Sequence, residues 1–215
     1  MRIFISANVG QQKELNYIKA NESNELIFNS RLPNDDEYKN LDAFFIFSEQ
    51  INSLNFANFG TKPVFINSVT ETLLQLKMPL NVSRLNAWPG FLQREVWEVA
   101  TNNQKDIEII FNSLNQKIIV VKDEPGLVSA RVVSMIINEA FFALGENVST
   151  KEEIDIAMKL GTNYPYGPFE WAERIGIENI FHLLEKLSEK EDRYTPATAL
   201  KKLYLEKNTV NNLKK

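Results

Sequence analysis

The sequence predicts an α/β domain on a shortened, mostly parallel sheet, followed by an all-α domain. Three observations predict it. The first half holds short, near-continuously apolar runs rich in Phe, Ile and Val, which suit strands covered on both faces. Polar stretches of helical character separate them, and strands alternating with helices build α/β layers. Beyond Asp123-Glu124-Pro125-Gly126 the strand-like runs stop and helix signals take over.

The strand runs are RIFIS (2–6), ELIFN (25–29), DAFFIF (42–47), PVFIN (63–67) and KIIVVK (117–122), with helical stretches at 11–20, 68–77 and 104–115. In the second half, a helix over 127–145 is apolar around much of its surface. Ser149-Thr150 followed by Glu152 and Glu153 reads as an N-cap with an acidic first turn. The helix it opens, 151–160, ends at Gly161 as a C′ glycine. Pro168 opens the next helix and Gly176 closes it. The stretch 177–190 is amphipathic, with Ile177, Ile180, Phe181, Leu184 and Leu187 on one stripe. A last helix covers 196–206. The expected domains are 1–123 and 124–206, with a polar, frayed tail at 207–215.

Composition removes several function classes. A net charge of -4 argues against a nucleic-acid binder, which carries a basic face. The absence of Cys excludes disulfides and thiolate metal sites, and the single His, His182, excludes a multi-histidine metal site. The long apolar segment 127–144 carries Arg131, Asn138 and Glu139 and is too polar to span a membrane. The N-terminal run lacks a signal-peptide layout, so the expectation is a cytoplasmic protein without a membrane partner. Asn138 and Glu139 pose a question of their own. Asn is a poor helix former, and a buried amide needs a partner.

The second half carries a D-x-P-G-hydrophobic opening (Asp123 to Leu127), Arg131, Asn138-Glu139-Ala140, an E-x-I-D-x-A-M-K-x-G run ending at Gly161, and Y-P-x-G-P-F-E from Tyr164 to Glu170. In order and spacing this resembles the C-terminal domain of the 3-hydroxyacyl-CoA dehydrogenase family. The resemblance implies a Rossmann-like first domain and a helical domain that dimerises and closes an acyl-CoA cleft. It also implies hydride transfer between the 3-carbon of an acyl chain and NAD, with a His–Glu pair handling the hydroxyl proton. Asn138 matches the family's helix Asn. The alternative is that its amide merely bridges to a neighbouring helix. Ser68 matches the family's Ser after a strand, or is a plain helix N-cap. Glu98 matches the Glu of the dyad.

Two motifs depart from the family. Its H-F-F-N-P stretch compares with LNAWPGFLQREVWEVA (85–100): Pro89 fits the proline, and Trp97-Glu98-Val99 fits the following run with one residue of slippage. The His position then falls near Arg84 or Leu85, and an Arg cannot serve as a base near neutral pH. His182, beside an apolar stripe in a far helix, reads as a surface or packing residue. The dinucleotide G-x-G-x-x-G is absent, since Gly10 is the only glycine before Gly60. The second strand ends in Asn29-Ser30-Arg31 without the acidic residue that holds an adenosine ribose. Trp88, Phe91 and Trp97 are core residues, fill the former pocket or line one for an apolar chain. Three readings stand. The first is a degenerate relative that binds an acyl-CoA-like ligand or a partner and takes no cofactor. The second is an active NAD-dependent enzyme with an atypical site, and the third a homodimeric scaffold.

Overall fold

The apolar runs of the first half become strands of one sheet: β1 (Arg2–Ser6), β2 (Glu25–Asn29), β3 (Ala43–Ile46), β4 (Val64–Asn67) and β7 (Lys117–Val120). Two further strands, β5 (Val82–Leu85) and β6 (Val96–Thr101), complete it. The computed structural model describes residues 1–18, 21–22, 24–47 and 51–212. The strand order is β2-β1-β3-β4-β5-β6-β7. All neighbours are parallel except β5 and β6, which are antiparallel. β1 has β2 on one side and β3 on the other, so the order reverses there. The carboxyl ends of β1 and β3 flank the switch point at which such sheets hold ligands.

The continuous apolar reading of β3 has a direct cause. Phe44 and Phe45 are 0% and 1% exposed although they point to opposite faces. On one face Phe45 packs with Phe65, Trp97 and Phe111, together with Leu15 of helix α1 (Val9–Leu15). On the other, Phe44 meets Phe59 and Tyr38 of the short α2 (Asp35–Lys39). Each such ring contributes about 1.5–3 kcal/mol through burial, so both faces hold the sheet. Helix α3 (Gln104–Ser113) adds Ile107, Ile110 and Phe111 to the first core.

Several expectations are corrected. The stretch 68–77 is not a helix but a series of turns. Thr72 and Gln75 bond each other's backbone N–H, Leu76 N closes one turn on Thr72 O, and Lys77 at φ 53° with Pro79 beyond it stops the turn. The expected helix 11–20 begins earlier and ends at Leu15; its last two positions lie outside the described residues. β5 escaped notice because VSRL carries Ser83 and Arg84, both buried.

The chain divides into two compact units, Met1–Leu127 and Val128–Lys215. The second holds α4 (Ser129–Gly145), α5 (Lys151–Thr162), α6 (Pro168–Ile175), α7 (Ile177–Ser188) and α8 (Thr198–Asn212). α4 buries Ala130, Val133, Ile137 and Phe141, and Phe141 meets Phe169 of α6 edge-on at 5.0 Å. The left-handed residue that ends α5 is Asn163, at φ 56°, not Gly161, which lies inside the helix. An Asn tolerates this conformation because its side chain can bond locally. α8 outruns its expected end at 206, and the last three residues of the tail lie outside the described residues. Asp155 on α5 turns inward and accepts the N–H groups of Phe169 and Glu170 at 2.8 and 3.1 Å. A carboxylate on the first N–H groups of α6 also complements the helix dipole. The D of E-x-I-D and the G-P-F-E of the later motif are thus two halves of one cap. No helix among the described residues is long and apolar enough to cross a membrane.

Candidate functional site

Arg84 dominates the carboxyl end of β5. Its side chain is fully buried and spends its donors on Asp123 Oδ1, on Ser68 O at 2.9 Å and on Glu124 O at 2.6 Å. Burial pulls its pKa down and the Asp123 carboxylate pulls it back. It is a bolt between the end of β4, β5 and the segment that leads out of the sheet unit.

The neighbouring Asn86 was missed in the sequence, and the signal was the one-residue slippage at Glu98. Without that slippage Gly90 takes the proline's place and Asn86 the His position. The strand register agrees. Arg84 pairs with Ala100 and Leu85 with Val99, where the ladder ends; continued by one step, that register would bring Asn86 opposite Glu98. Asn86 is 7% exposed. Its Oδ1 accepts Trp88 N at 3.0 Å, while its Nδ2 meets no acceptor among the described residues. Glu98 is half-buried and within electrostatic reach of the Arg94 guanidinium. Burial lowers the Arg94 pKa and Glu98 opposes that. Arg94 also lies over the Phe91 ring at 4.1 Å.

α1 closes the switch point from above. Its third residue, Gln11, is 7% exposed. The Gln11 Nε2 donates to Phe47 O just after β3 and to Ala87 O just after β5, at 3.3 and 3.2 Å. Its Oε1 accepts Asn8 N, and Asn8 Oδ1 accepts Gln11 N in return, a capping box. Further along α1, Glu14 accepts Gly90 N and Leu92 N at 2.6 and 3.1 Å. Tyr17 OH, past the helix end, donates within reach of Leu92 O and Arg94 O at 2.7 Å each. The loop after β5 is therefore stapled to α1 along its length. Of the aromatic residues there, Trp97 belongs to the sheet core and donates its indole N–H to Leu92 O, and Trp88 and Phe91 are buried against each other, edge to face.

Ser68 is buried and its Oγ donates to Glu71 O at 2.8 Å. This stabilises a turn and caps no helix. In the helical unit Asn138 is 1% exposed. Its Nδ2 donates to Thr195 O at 2.9 Å, and its Oδ1 accepts Ala197 N at 2.8 Å. The amide buried in the middle of α4 thus holds the segment that enters α8, and Glu139 beside it is exposed. The sheet unit therefore supplies Ser68, Asn86 and Glu98, while Asn138 is engaged within the helical unit. His182 on α7 is partly exposed, lies edge-on to Tyr204 and stands 3.9 Å from Glu178. No group of three His, Asp or Glu residues able to hold a metal occurs among the described residues.

Residues 126–213 match the family described as 3-hydroxyacyl-CoA dehydrogenase, C-terminal domain. That unit is similar to the C-terminal domain of the 3-hydroxyacyl-CoA dehydrogenase family. The 3-hydroxyadipyl-CoA dehydrogenase of Escherichia coli K12 is 44% identical over 86 residues, 39% of this chain and 18% of that protein. The 3-hydroxybutyryl-CoA dehydrogenase of Clostridioides difficile is 30% identical over 144 residues, 63% of this chain and 51% of that protein. Among solved structures, the 3-hydroxybutyryl-CoA dehydrogenase of Escherichia coli K12 superposes with a TM-score of 0.58 at 30% identity, covering 68% of this chain and 32% of that one. The (S)-3-hydroxybutyryl-CoA dehydrogenase of Ralstonia eutropha gives a TM-score of 0.68 over 84% of this chain and 70% of that one. At 22% identity it speaks for the fold, a Rossmann-like sheet domain with a helical C-terminal domain. The chain spans about half or less of the length of the curated relatives it matches.

Proposed function

We propose that this 3-hydroxyacyl-CoA dehydrogenase-like chain binds an acyl-CoA-like ligand without carrying out hydride transfer, as a pseudoenzyme of its family. The observation that carries this is Gln11. A dinucleotide lays its pyrophosphate at the tight turn between β1 and α1, where glycines let the backbone approach closely. Here the Gln11 amide fills the edge between the ends of β1, β3 and β5, and Asn8 consumes the helix-end N–H that a phosphate would take. The residues present do not fit NAD. A second observation points the same way. The residue just after β5, where the motif comparison sets the family's base, is the carboxamide Asn86, and an amide neither takes up nor releases a proton near neutral pH. The acyl-CoA part of the proposal draws on the relatives' names, which are dehydrogenases of acyl-CoA thioesters.

An NADH titration, read by nicotinamide fluorescence and by energy transfer from Trp88 and Trp97, tests the first half. No saturation up to millimolar NADH is expected. Saturable binding at micromolar NADH would return the chain to the active enzymes, with Glu98 as the first base to examine.

We propose further that the helical unit pairs two copies of the chain. α4 and the residue before it carry a second apolar stripe, with Val128, Val132 and Phe142 40–50% exposed. A two-fold contact would bury that stripe. Sedimentation velocity at micromolar protein is expected to give a dimer, and a monomer across the concentration range would sink this part.

A further inference from the structure

We propose that the outer edge of β7 takes an added strand from a partner protein, an extended segment with a carboxylate at each end and threonine or β-branched residues between. The inference is independent of the acyl-CoA reading. Four observations carry it. β7 ends the sheet, and β6 is its one neighbour in the strand order. Its backbone is divided between two directions. Val121 N donates to Val99 O, so by the alternation of a parallel ladder Ile119 also faces β6, and Ile118 and Val120 turn their N–H and C=O groups to the outer side. Ile119 and Val120 are 49% and 41% exposed. Beside the strand lies a hollow of about 700 Å³, lined by Phe111 and Asn112 of α3, by Asn115 and Gln116 of the turn after it and by Ile118 and Ile119. Strand addition uses these parts: main-chain groups of an open edge hold the peptide, and pockets beside the edge select alternate side chains.

Charge selects the occupant. Lys117 opens β7 and Lys122 follows it, both are exposed, and neither forms an ion pair among the described residues. A second copy of the chain does not fit. A two-fold pair of β7 strands runs antiparallel, and centring it on Ile119 and Val120 sets Lys117 against Lys122 twice. A strand with acidic residues at its first and sixth positions instead puts a carboxylate opposite each lysine, in either direction. Lys117 and Lys122 leave opposite faces of the sheet, and the two carboxylates do the same. The residue one in from the end stands opposite Ile118 and shares its face, so it reaches the hollow. Phe111, 1% exposed, forms the floor there, while Glu108, Asn112 and Asn115 are exposed at the rim. An apolar body carrying a hydroxyl suits that mixture, so threonine is expected at this place.

The probe is a backbone-cyclised hairpin that displays Glu-Thr-Val-Val-Thr-Glu on one arm, since cyclisation removes most of the ordering cost of a short strand. Its fluorescence anisotropy is titrated with the full chain at low ionic strength, beside a twin that carries Lys at both ends. The Glu-ended hairpin is expected to saturate below about 1 mM and to bind roughly tenfold tighter than its twin. The double variant Lys117→Glu with Lys122→Glu should reverse that preference. Val120→Pro removes an outward N–H and leaves the bonds to β6 in place, as proline is tolerated on an edge strand. It should abolish binding with an unchanged circular dichroism spectrum. In the wild type, amide exchange of Ile118 and Val120 should slow when the hairpin binds. Absence of saturation, equal affinity for the two hairpins, or binding that survives Val120→Pro each overturns the inference. Self-association in sedimentation that Val120→Pro disperses would give the edge to a second copy and overturn it too. None of these outcomes bears on the acyl-CoA reading, which ligand titration tests separately.

Discussion

Replacing Arg84 by Met should cost the sheet unit about 3–5 kcal/mol, the usual penalty for removing one partner of a buried ion pair. The side chain is wholly enclosed, and its loss strands three acceptors at once: the Asp123 carboxylate and the carbonyls of Ser68 and Glu124. Two of these acceptors belong to the segment that leads out of the sheet unit, so the damage reaches beyond β5. Arg84→Lys should recover only part of the loss. It keeps the charge, but a point-like ammonium cannot present the planar fork that meets Asp123, Ser68 and Glu124 together. Urea unfolding followed by fluorescence of Trp97, which is buried in that unit's core, gives the measurement. A midpoint for Arg84→Met that corresponds to less than about 1 kcal/mol would mean that the guanidinium is no bolt.

The second large effect belongs to the helical unit and contrasts two glycines. At Gly167 an added Cβ would overlap the Cβ, Cγ and Oδ1 of Asp155, while at Gly161 nothing lies within 4 Å. Gly167→Ala must therefore push Asp155 off the N–H groups of Phe169 and Glu170, two hydrogen bonds to a charged acceptor. Such bonds contribute about 1.5–3 kcal/mol each, so a loss of roughly 3 kcal/mol or more is expected. Gly161→Ala should instead be neutral or stabilising by up to about 1 kcal/mol, since Ala is the better helix residue. Thermal unfolding monitored at Trp171, on α6 itself, compares the two. Equal midpoints for both variants would show that Asp155 does not depend on the bare backbone at 167.

These two cases mark what could be read in advance. β1, β3 and β4 were legible because a strand covered on both faces must be apolar throughout, and β2 and β7, which are largely open, were legible from their β-branched and aromatic runs. β5 was not, because Arg84 looks like a surface residue until Asp123 is brought to it from 39 positions away, and no local pattern reports that meeting. The capping signals at Thr150, Pro168 and Gly176 were legible because their chemistry is local. The role of Gly161 was misread because Asn163 ends the helix in its place. At the candidate site Glu98 and Ser68 were picked by motif, and the buried bridge made by Asn138 was among the readings weighed. Asn86 was lost because anchoring the comparison on Pro89 shifted the frame by one residue. The register of β5 against β6 carries the information that the motif lacked.

The last strand of the sheet has a bearing on how the chain behaves in a crowd. β7 is the terminal strand, bonded on one side to β6 alone, and Ile119 and Val120 are 49% and 41% exposed. A short row of β-branched residues with an open backbone edge is a template for strand-to-strand aggregation. Lys117 begins the strand and Lys122 follows it within two residues. Antiparallel growth of a like strand centred on Ile119 and Val120 would set each lysine against its counterpart. Acetylation of either lysine would remove a charge that guards this terminal strand.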